Sequence, residues 1–359
     1  MKKTDKHHKK LKQRIKNERD LALSEQYPPL FPTLVIGAGA WGTALAIAVA
    51  RNKHNVLLWG RDDQHCQEMM AAHCNERYLP GLIFPETLHI TPDLQTALAD
   101  AKHVLISVPS HAFSDMLTAI KPFIRQGIPV SWATKGLTPE TGRFLYETAG
   151  DILGASHPLA IISGPSFAAE VAKDLPTAVT TASLDDGFNQ ALAAAMHRPT
   201  LRVYTTDDVL GVQIGGTVKN VLAISAGIAD GLGFGANARA ALITRGMAEI
   251  LRLSAKLGAQ TETLFGLSGV GDLILTCTDD QSRNRQLGLA IGSGLSVDEA
   301  VARVGKTVEG MHAAREVLLR AQQVGVEMPI VEQVCKILFE AYDPKQSVQA
   351  LLCREQKSE

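Results

Sequence analysis

The stretch Thr33-Leu-Val-Ile-Gly37-Ala-Gly39-Ala-Trp41-Gly42-Thr-Ala-Leu-Ala-Ile-Ala-Val-Ala50 decides the fold. Its first residues form a short, apolar and β-branched run, which is typical of a fully buried strand in a parallel sheet. Its last part is rich in alanine and leucine, which favour a helix. The pattern Gly37-x-Gly39-x-x-Gly42 lies between the two parts, so the stretch predicts a strand, a tight turn and a helix.

The three glycines have the spacing of turns that hold the pyrophosphate of a dinucleotide. Gly37 permits the tight turn, Gly39 lets the backbone approach a phosphate, and Gly42 lets the helix pack closely on the strand. The helix N-terminus adds unpaired N–H groups and the positive end of the helix dipole. A second apolar run at Val56–Trp59 completes a βαβ unit. That context favours a dinucleotide site over a purely structural turn.

Charged residues follow two of the apolar runs. Arg61 comes after the second predicted strand, where an arginine can accept a 2′-phosphate and an acid would bind the 2′-hydroxyl. Because Arg61 precedes Asp62 and Asp63, the order leans modestly toward NADP, with an exposed surface arginine as the alternative. Lys135 follows the run at 129–132 and is either a cleft residue or an exposed loop lysine.

Strand-like runs alternate with helical runs from Thr33 to Thr206. This alternation predicts an α/β fold with a Rossmann-like, doubly wound parallel sheet and helices on both faces. From Asp207 onward helical spacing dominates, which predicts an all-helical C-terminal domain. The predicted domains are therefore a basic extension at residues 1–30, a dinucleotide-binding domain at 31–206 and a substrate domain at 207–359.

Size and composition are those of an ordinary globular protein with room for two domains, since the chain has 359 residues, 45% hydrophobic and 20% charged. A net charge of −1 gives no global field that would favour nucleic-acid or membrane partners. No apolar run approaches the roughly 20 residues of a membrane span. The odd cysteine count, without close C-x-x-C pairs, predicts thiols in a reducing cytosol and no metal site. The cysteines are Cys66, Cys74, Cys277, Cys335 and Cys353.

Residues 1–30 differ from the rest, because they are dense in lysine and contain almost nothing apolar up to residue 20. We expect a solvated, disordered extension, since such a segment cannot bury a core. A nucleic-acid-binding arm is the alternative, and the absence of aromatic residues among the charges makes it less favoured. The segment also lacks the apolar core of a secretory signal peptide, so we expect a cytoplasmic protein.

Lys219 is the first candidate for proton transfer. It lies in a predicted helix of small and apolar residues that includes Gly215-Gly216. Burial disfavours the charged ammonium and lowers its pKa, which suits a proton donor or acceptor near neutral pH. The alternative is a lysine whose stem lies along the helix flank with its ammonium in water. Asp272 and Thr276 are four residues apart and share one helix face, although Asp272 could simply cap that helix.

The run Ser282-Arg283-Asn284-Arg285 is a candidate anion site. It places arginine, hydroxyl and amide groups within four residues, and arginine binds phosphate in a bidentate manner. A charged helix start is the alternative interpretation.

In order and with matching spacing, the chain resembles the bacterial NAD(P)-dependent sn-glycerol-3-phosphate dehydrogenase family from about residue 34 to residue 351. The basic extension lies outside this resemblance. The motifs that carry it are Gly37-Ala-Gly39-Ala-Trp-Gly42-Thr-Ala, Ala133-Thr-Lys135-Gly136, Ile162-Ser-Gly164-Pro-Ser166-Phe-Ala168, Gly216-Thr-Val-Lys219-Asn220, Gly235-Ala-Asn-Ala-Arg239, Gly269-Val-Gly271-Asp272-Leu, Gln281-Ser282-Arg283-Asn284-Arg and Val308-Glu309-Gly310.

The resemblance implies a role for each matching position. Lys219 matches the catalytic lysine that exchanges a proton with the substrate C2 oxygen, and Lys135 matches a lysine that touches substrate and cofactor. The other positions that match substrate contacts are Gly164, Ser166, Asp272, Ser282, Arg283 and Asn284. The positions that match the cofactor site are Ala40, Trp41, Arg61, Tyr78, Ala168, Arg283, Thr307 and Glu309. The family often has serine at position 40 and valine at position 307, so a hydroxyl contact at 40 would be lost here.

The resemblance implies reversible hydride transfer between NAD(P)H and dihydroxyacetone phosphate, giving sn-glycerol 3-phosphate for glycerophospholipid synthesis. Two other interpretations are open. One is a dehydrogenase of another hydroxy acid, such as 3-hydroxyisobutyrate or 6-phosphogluconate, and the other is a non-catalytic NADPH sensor. The expected partners are small molecules, and a homodimer is left open because the sequence is silent on oligomeric state.

Overall fold

An eight-stranded sheet forms the first part of the chain. The structure is a computed structural model that describes residues 30–305 and 307–352. Apart from Leu30, the predicted basic extension lies outside the described residues, as does Cys353. The strands are β1 Thr33–Ile36, β2 Val56–Trp59, β3 Cys74–Asn75, β4 Leu79–Ile83, β5 Leu88–Thr91, β6 His103–Ile106, β7 Val130–Trp132, β8 Leu137–Thr138, β9 Arg143–Phe144, β10 Leu159–Ser163, β11 Thr177–Ala182 and β12 Leu201–Thr206.

The strand order of the main sheet is β12-β11-β10-β7-β6-β1-β2-β5, and β3-β4 and β8-β9 form separate two-stranded ribbons. β1 pairs in parallel with both β2 and β6. The chain therefore adds β2 and β5 on one side of β1 and then adds β6 and β7 on its other side. In such sheets ligands bind beyond the carboxyl ends of the strands where the strand order reverses. β1 is wholly buried, as its apolar run predicts.

The prediction of a parallel sheet is wrong at one edge. β10 and β11 pair antiparallel, with Ile161 opposite Ala182, whereas β11 and β12 are parallel to each other. The apolar pattern of a buried strand is the same in either direction, so the sequence of Thr177–Ala182 carries no sign of this reversal. The sheet is mostly parallel, and the Rossmann-like fold class is confirmed.

Helices connect the strands and then make up the second part. Those of the first part are α1 Ala40–Ala50, α2 Asp63–Ala72, α3 Leu94–Asp100, α4 Phe113–Ile120, α5 Leu145–Leu153, α6 Ala168–Ala172 and α7 Asp186–Met196. Those of the second part are α8 Val209–Gly231, α9 Gly235–Leu257, α10 Thr261–Phe265, α11 Asp272–Thr278, α12 Arg283–Gly292, α13 Val297–Val304, α14 Glu309–Gln323, α15 Pro329–Glu340 and α16 Pro344–Leu352. The domain limits at 30/31 and 206/207 stay predictions.

Helix α8 is the centre of the helical part. Nearly all of its residues are buried, and α9, α11, α12, α14 and α15 pack around it. It is long and apolar enough to cross a membrane, with a mean hydropathy of 1.3, but 89% of that window is buried inside the protein. The expectation that no apolar run approaches span length is therefore wrong for α8. Its burial is that of a core helix.

Candidate active site

The glycine turn after β1 has the geometry that a dinucleotide requires. Gly37 has φ +114, and a Cβ there would collide with the carbonyl of Ser107, which follows β6. A Cβ on Gly42 would collide with the carbonyl of Gly37. By contrast, a Cβ on Gly39 would meet no described atom within 4 Å. The space at Gly39 opens at the N-terminus of α1, which no side chain of the described residues caps. A pyrophosphate fits this turn.

Asn75 ties the β3-β4 ribbon to the glycine turn. Its Nδ2 donates to the carbonyl of Ala38 at 3.0 Å and to the Thr43 hydroxyl at 2.8 Å. The ring of His65 lies 3.0 Å from the Asn75 amide oxygen, and Tyr78 contacts His65 edge-on with ring centroids 5.6 Å apart. The ribbon thereby carries Tyr78 toward the cofactor turn. Sequence reasoning missed Asn75, because a lone asparagine in a short ribbon gives no local signal.

Arg61 is exposed directly beyond the end of β2. The neighbouring Asp62 is engaged elsewhere, since its carboxylate accepts from the His65 backbone N–H at 3.1 Å and pairs with Arg77 at 3.2 Å. These bonds, the backbone one first, hold the pKa of Asp62 below its usual value. Asp62 therefore caps α2, and Arg61 and Asp63 on either side of it are exposed to solvent.

Two lysines from different parts of the chain meet on one carboxylate. Lys219 Nζ, on α8, lies 2.6 Å from Asp272 Oδ1, and Lys135 Nζ, just beyond β7, lies 2.7 Å from Asp272 Oδ2. Lys219 Nζ also contacts the Thr276 hydroxyl at 2.9 Å. The side chain of Asp272 is 1% exposed. The sheet part and the helical part thus each contribute one ammonium to a shared buried site.

The charged form of Lys219 is destabilised in this site. Burial, first, and the nearby Lys135 ammonium lower the pKa of Lys219 to about 8, against the opposing effect of Asp272. A group that titrates near this value can both give and take a proton close to neutral pH. The alternative of a lysine whose ammonium lies in water is wrong, because this side chain is 8% exposed.

Small residues allow these elements to come together. A Cβ on Gly215 would collide with the carbonyl of Ser268, in the π-helical turn Leu267–Gly271 that leads into α11. A Cβ on Gly216 would lie 2.8 Å from Ser163 Oγ and 3.8 Å from Lys135 Cγ. The glycine pair therefore lets α8 approach the turn before α11 on one side and the sheet on the other. Asp272 is the first residue of α11, and its carboxylate binds the lysines rather than capping the helix.

The loop after β10 lies beside this cluster. Gly164 has φ +142, and the Ser166 hydroxyl donates to the Gly164 carbonyl at 3.0 Å. Pro165 packs near Gly271, which directly precedes Asp272. Ala168 begins α6 and is half-buried. The loop therefore brings Gly164 and Ser166 next to the turn that carries Asp272.

The two arginines of the Ser282–Arg285 run are not both free to bind an anion. Arg285 is buried and forms ion pairs with Asp230 and, at 2.8 Å, with Asp280. Ser282 caps α12 by accepting from the Arg285 backbone N–H at 3.3 Å. Arg283 is exposed and has no ion pair within the part of the chain that the structure describes. Of the two arginines, only Arg283 is available to an anion.

Asn284 joins three helices at the same end of α12. Its Nδ2 donates to Asn220 Oδ1 at 3.0 Å, and its Oδ1 accepts from the Gly310 backbone N–H at 2.9 Å. Because Asn220 follows Lys219, this bond places α12 and the start of α14 next to the lysine site. Glu309, half-buried at the first position of α14, and the exposed Thr307 lie at this junction.

Several of the predicted residues fall into two groups. Lys135, Lys219 and Asp272 are in direct contact, whereas Arg61 and Tyr78 belong to the glycine-turn side.

Four cysteines, Cys66, Cys74, Cys277 and Cys335, are free and buried. Over residues 30–305 and 307–352, no group of three or more His, Cys, Asp or Glu side chains is arranged to hold a metal ion.

Comparison with known proteins gives the same assignment over nearly the whole described chain. Residues 33–189 match the N-terminal domain, and residues 208–349 the C-terminal domain, of NAD-dependent glycerol-3-phosphate dehydrogenase. The chain is 55% identical over 326 residues to glycerol-3-phosphate dehydrogenase (NAD(P)+) of Pseudoalteromonas translucida, covering 90% of this chain and 97% of that protein. The protein of the same name from Shewanella sp. (strain MR-4) is 53% identical over 326 residues, covering 90% of this chain and 96% of that protein.

A solved structure extends this similarity to three dimensions. The crystal structure of glycerol-3-phosphate dehydrogenase from Coxiella burnetii matches with a TM-score of 0.87 and 48% identity, covering 90% of this chain and 98% of that one. The described fold, the glycine turn and both domain matches lead to one assignment: the chain belongs to the NAD-dependent glycerol-3-phosphate dehydrogenase family.

Proposed function

We propose that this protein interconverts dihydroxyacetone phosphate and sn-glycerol 3-phosphate with NAD(P)H. The observation that carries the proposal is the meeting of Lys219 and Lys135 on the Asp272 carboxylate, at 2.6 and 2.7 Å. Two ammonium groups and one carboxylate leave a net positive charge in a buried site. Such a site favours a phosphorylated substrate and stabilises the negative charge that develops on its C2 oxygen.

The glycine turn would hold the cofactor. Gly39 leaves room for the pyrophosphate at the N-terminus of α1, and Gly37 and Gly42 permit the tight turn around it. Bound NAD(P)H supplies the hydride. In this proposal further contacts come from both parts of the chain. They are Ala40, Trp41, Arg61, Tyr78, Lys135, Ala168, Arg283, Thr307 and Glu309. The buried indole Nε1 of Trp41 is without a partner among the described residues, which supports a polar contact there.

Lys219 is the proposed proton carrier. Its protonated ammonium stabilises the developing charge on the C2 oxygen and then donates its proton during reduction of the ketone. In the reverse direction the neutral amine accepts the hydroxyl proton. Asp272 and Thr276 hold the amine in place. Asp272 and Lys135 are the other two proposed catalytic residues. The Lys135 ammonium binds the same Asp272 carboxylate as the Lys219 ammonium does.

The proposed phosphate grip lies at the start of α12. Arg283 offers an exposed guanidinium, and Ser282 and Asn284 flank it. Gly164 and Ser166 approach from the sheet part and complete the proposed substrate contacts. Holding the phosphate on the helical part and the cofactor on the sheet part fixes the orientation of the reacting carbon.

Further features of the proposal concern the protein beyond its active site. We propose supply of glycerol 3-phosphate to glycerophospholipid synthesis, a cytoplasmic location and a homodimer. Arg61 supports a modest preference for NADPH, since Asp62 is already engaged. Sedimentation of the purified chain tests the homodimer directly.

The test of the activity is oxidation of NADPH by dihydroxyacetone phosphate, followed by nicotinamide absorbance. We expect turnover with this substrate, and turnover in reverse with glycerol 3-phosphate. In parallel, 6-phosphogluconate and 3-hydroxyisobutyrate are offered with NADP+. Turnover of either one without turnover of glycerol 3-phosphate would favour a hydroxy-acid dehydrogenase, and NADPH binding without any turnover would favour a sensor.

A further inference from the structure

Glu316 is a buried acid that the proposed mechanism does not use. It lies on α14 and is 5% exposed, and its Oε2 accepts from the Leu137 backbone N–H at 3.3 Å. Burial raises the pKa of Glu316 to about 7. A desolvated carboxyl costs free energy that an apolar side chain of similar size would not. Its position therefore calls for a reason other than packing.

The N–H that Glu316 holds belongs to the turn that carries Lys135. Leu137 is two residues after Lys135, and the intervening Gly136 has φ +136. A Cβ on Gly136 would lie 2.7 Å from the Cβ of Ser110, so the turn is also packed tightly against Ser110. Because contacts at Gly136 and Leu137 both hold this backbone, they restrict where the Lys135 side chain starts.

Helix α14 packs against the β8-β9 ribbon along its length. The ribbon approaches the helix backbone at Gly142, whose added Cβ would lie 3.2 Å from the Glu316 carbonyl oxygen. One turn further along, the Arg320 guanidinium lies over the Phe144 ring at 5.4 Å, and Gln323 donates to the Thr141 carbonyl at 3.3 Å. Among these contacts, the Glu316 bond is the one next to the lysine.

The N-terminus of the same helix lies next to the start of α12, where the proposed phosphate contacts are. Gly310, in its first turn, donates to Asn284, which in turn bonds to Asn220 beside Lys219. Helix α14 is thus linked to Asn220, the neighbour of Lys219, through Asn284, and is bonded directly to the turn of Lys135. One helix therefore connects the two lysines by contacts that are separate from their shared contact with Asp272.

We propose that Glu316 is a positioning residue for Lys135. It fixes the Lys135 turn of the sheet part against α14 of the helical part, so that both lysine ammonium groups reach Asp272 together. This inference rests on the proposed dehydrogenase function. Loss of the Leu137 bond leaves the fold in place but lets Lys135 sample positions away from the substrate, which lowers turnover.

The test compares Glu316 with a second buried glutamate in the same part of the protein. Glu249 is 1% exposed and accepts from the backbone N–H groups of Ile330, at 2.7 Å, and Val331, at 3.4 Å. The variants are Glu316→Leu and Glu249→Leu, each with its glutamine counterpart. We expect Glu316→Leu to lower kcat/KM for dihydroxyacetone phosphate about tenfold, Glu316→Gln to recover most of it because its amide oxygen still accepts, and Glu249→Leu to lower the unfolding midpoint without this kinetic loss.

A double-mutant cycle with Lys135→Ala decides whether Glu316 acts through the lysine. If it does, adding Glu316→Leu to Lys135→Ala costs less than twofold in kcat/KM. Equal kinetic losses in the two leucine variants, or full additivity in the cycle, would overturn the proposal. If Glu316→Leu does not fold, Glu316→Asp, whose shorter side chain withdraws from Leu137, takes its place in the cycle. A wild-type enzyme inactive with dihydroxyacetone phosphate would instead overturn the proposed function.

Discussion

At the residue scale, the site depends on one carboxylate that serves two ammonium groups. Asp272 binds Lys219 through one oxygen and Lys135 through the other. Neither lysine is fully neutralised, because the two share a single negative charge. The excess positive charge is costly in the free protein, and in the proposed function it becomes favourable when the anionic substrate enters. The same imbalance contributes to the lowered pKa of Lys219, on which the proposed proton transfer depends.

The pH dependence of glycerol 3-phosphate oxidation should follow Lys219. Oxidation needs the neutral amine as a base, and the pKa of Lys219 is about 8, so kcat/KM should rise with pH and level off above this value. Asp272 raises that pKa, so in Asp272→Asn the remaining activity should reach half its plateau at a lower pH. A pH profile of each enzyme checks this. A half-point that stays in place or moves upward would contradict the assigned base.

Arg61 should decide how the protein discriminates between NADPH and NADH. Its guanidinium is exposed beyond β2, whereas Asp62 is occupied by its own helix and by Arg77. We expect Arg61→Ala to raise KM for NADPH about tenfold, as for loss of one charge-assisted contact, and KM for NADH by less than twofold. Lys102→Ala, which removes an exposed charge just before the N-terminal end of β6, is the control and should leave both KM values unchanged. Equal effects of Arg61→Ala on both cofactors would exclude a 2′-phosphate contact.

At the element scale, helices α8 and α12 are in backbone contact through glycines. A Cβ on Gly227 would collide with the Arg285 carbonyl, and a Cβ on Gly288 would collide with the Ile224 carbonyl. Gly231 and Gly292 repeat the arrangement one turn further along. This close packing positions Asn284 against Asn220 and so joins the start of α12 to the lysine helix.

Substitution of one of these glycines should therefore be destabilising. Gly288→Ala is expected to lower the free energy of unfolding by about 1–3 kcal/mol, because the added methyl must push α8 and α12 apart. Gly150→Ala, in helix α5 with no described atom within 4 Å of its added Cβ, should instead stabilise by about 0.5–1 kcal/mol. Urea unfolding of both variants measures the difference. The account of the helix contact is wrong if the two substitutions have the same effect.

The sequence carries the local part of this arrangement but not the long-range part. The glycine turn, the buried helix of Lys219 and the shared face of Asp272 and Thr276 follow from spacing alone, and the structure has all three. The direction of β11 and the ion pair of Arg285 with Asp230 do not follow from spacing. Each depends on which distant segment of the chain packs opposite. Glu316 gave no signal for the same reason, since its partner is 179 residues away.

At the scale of the whole molecule, the candidate site exists only where the two parts meet. The glycine turn and Lys135 belong to the sheet, whereas Lys219, Asp272 and the start of α12 belong to the helices. Further bonds cross between the parts near the site, including Gln281 to Glu170 at 2.9 Å. A change in the relative position of the two parts would therefore separate the proposed cofactor site, proton carrier and phosphate grip at once.

The most direct test of the central claim is the turnover of Lys219→Met. Methionine is close to lysine in length and carries no titratable group, so the core around α8 should keep its packing. We predict that kcat for NADPH oxidation by dihydroxyacetone phosphate falls by about 100-fold or more, as for loss of a general acid, while the NADPH dissociation constant changes less than threefold. A kcat close to that of the wild type would contradict the account, because the proposed proton carrier would then be dispensable.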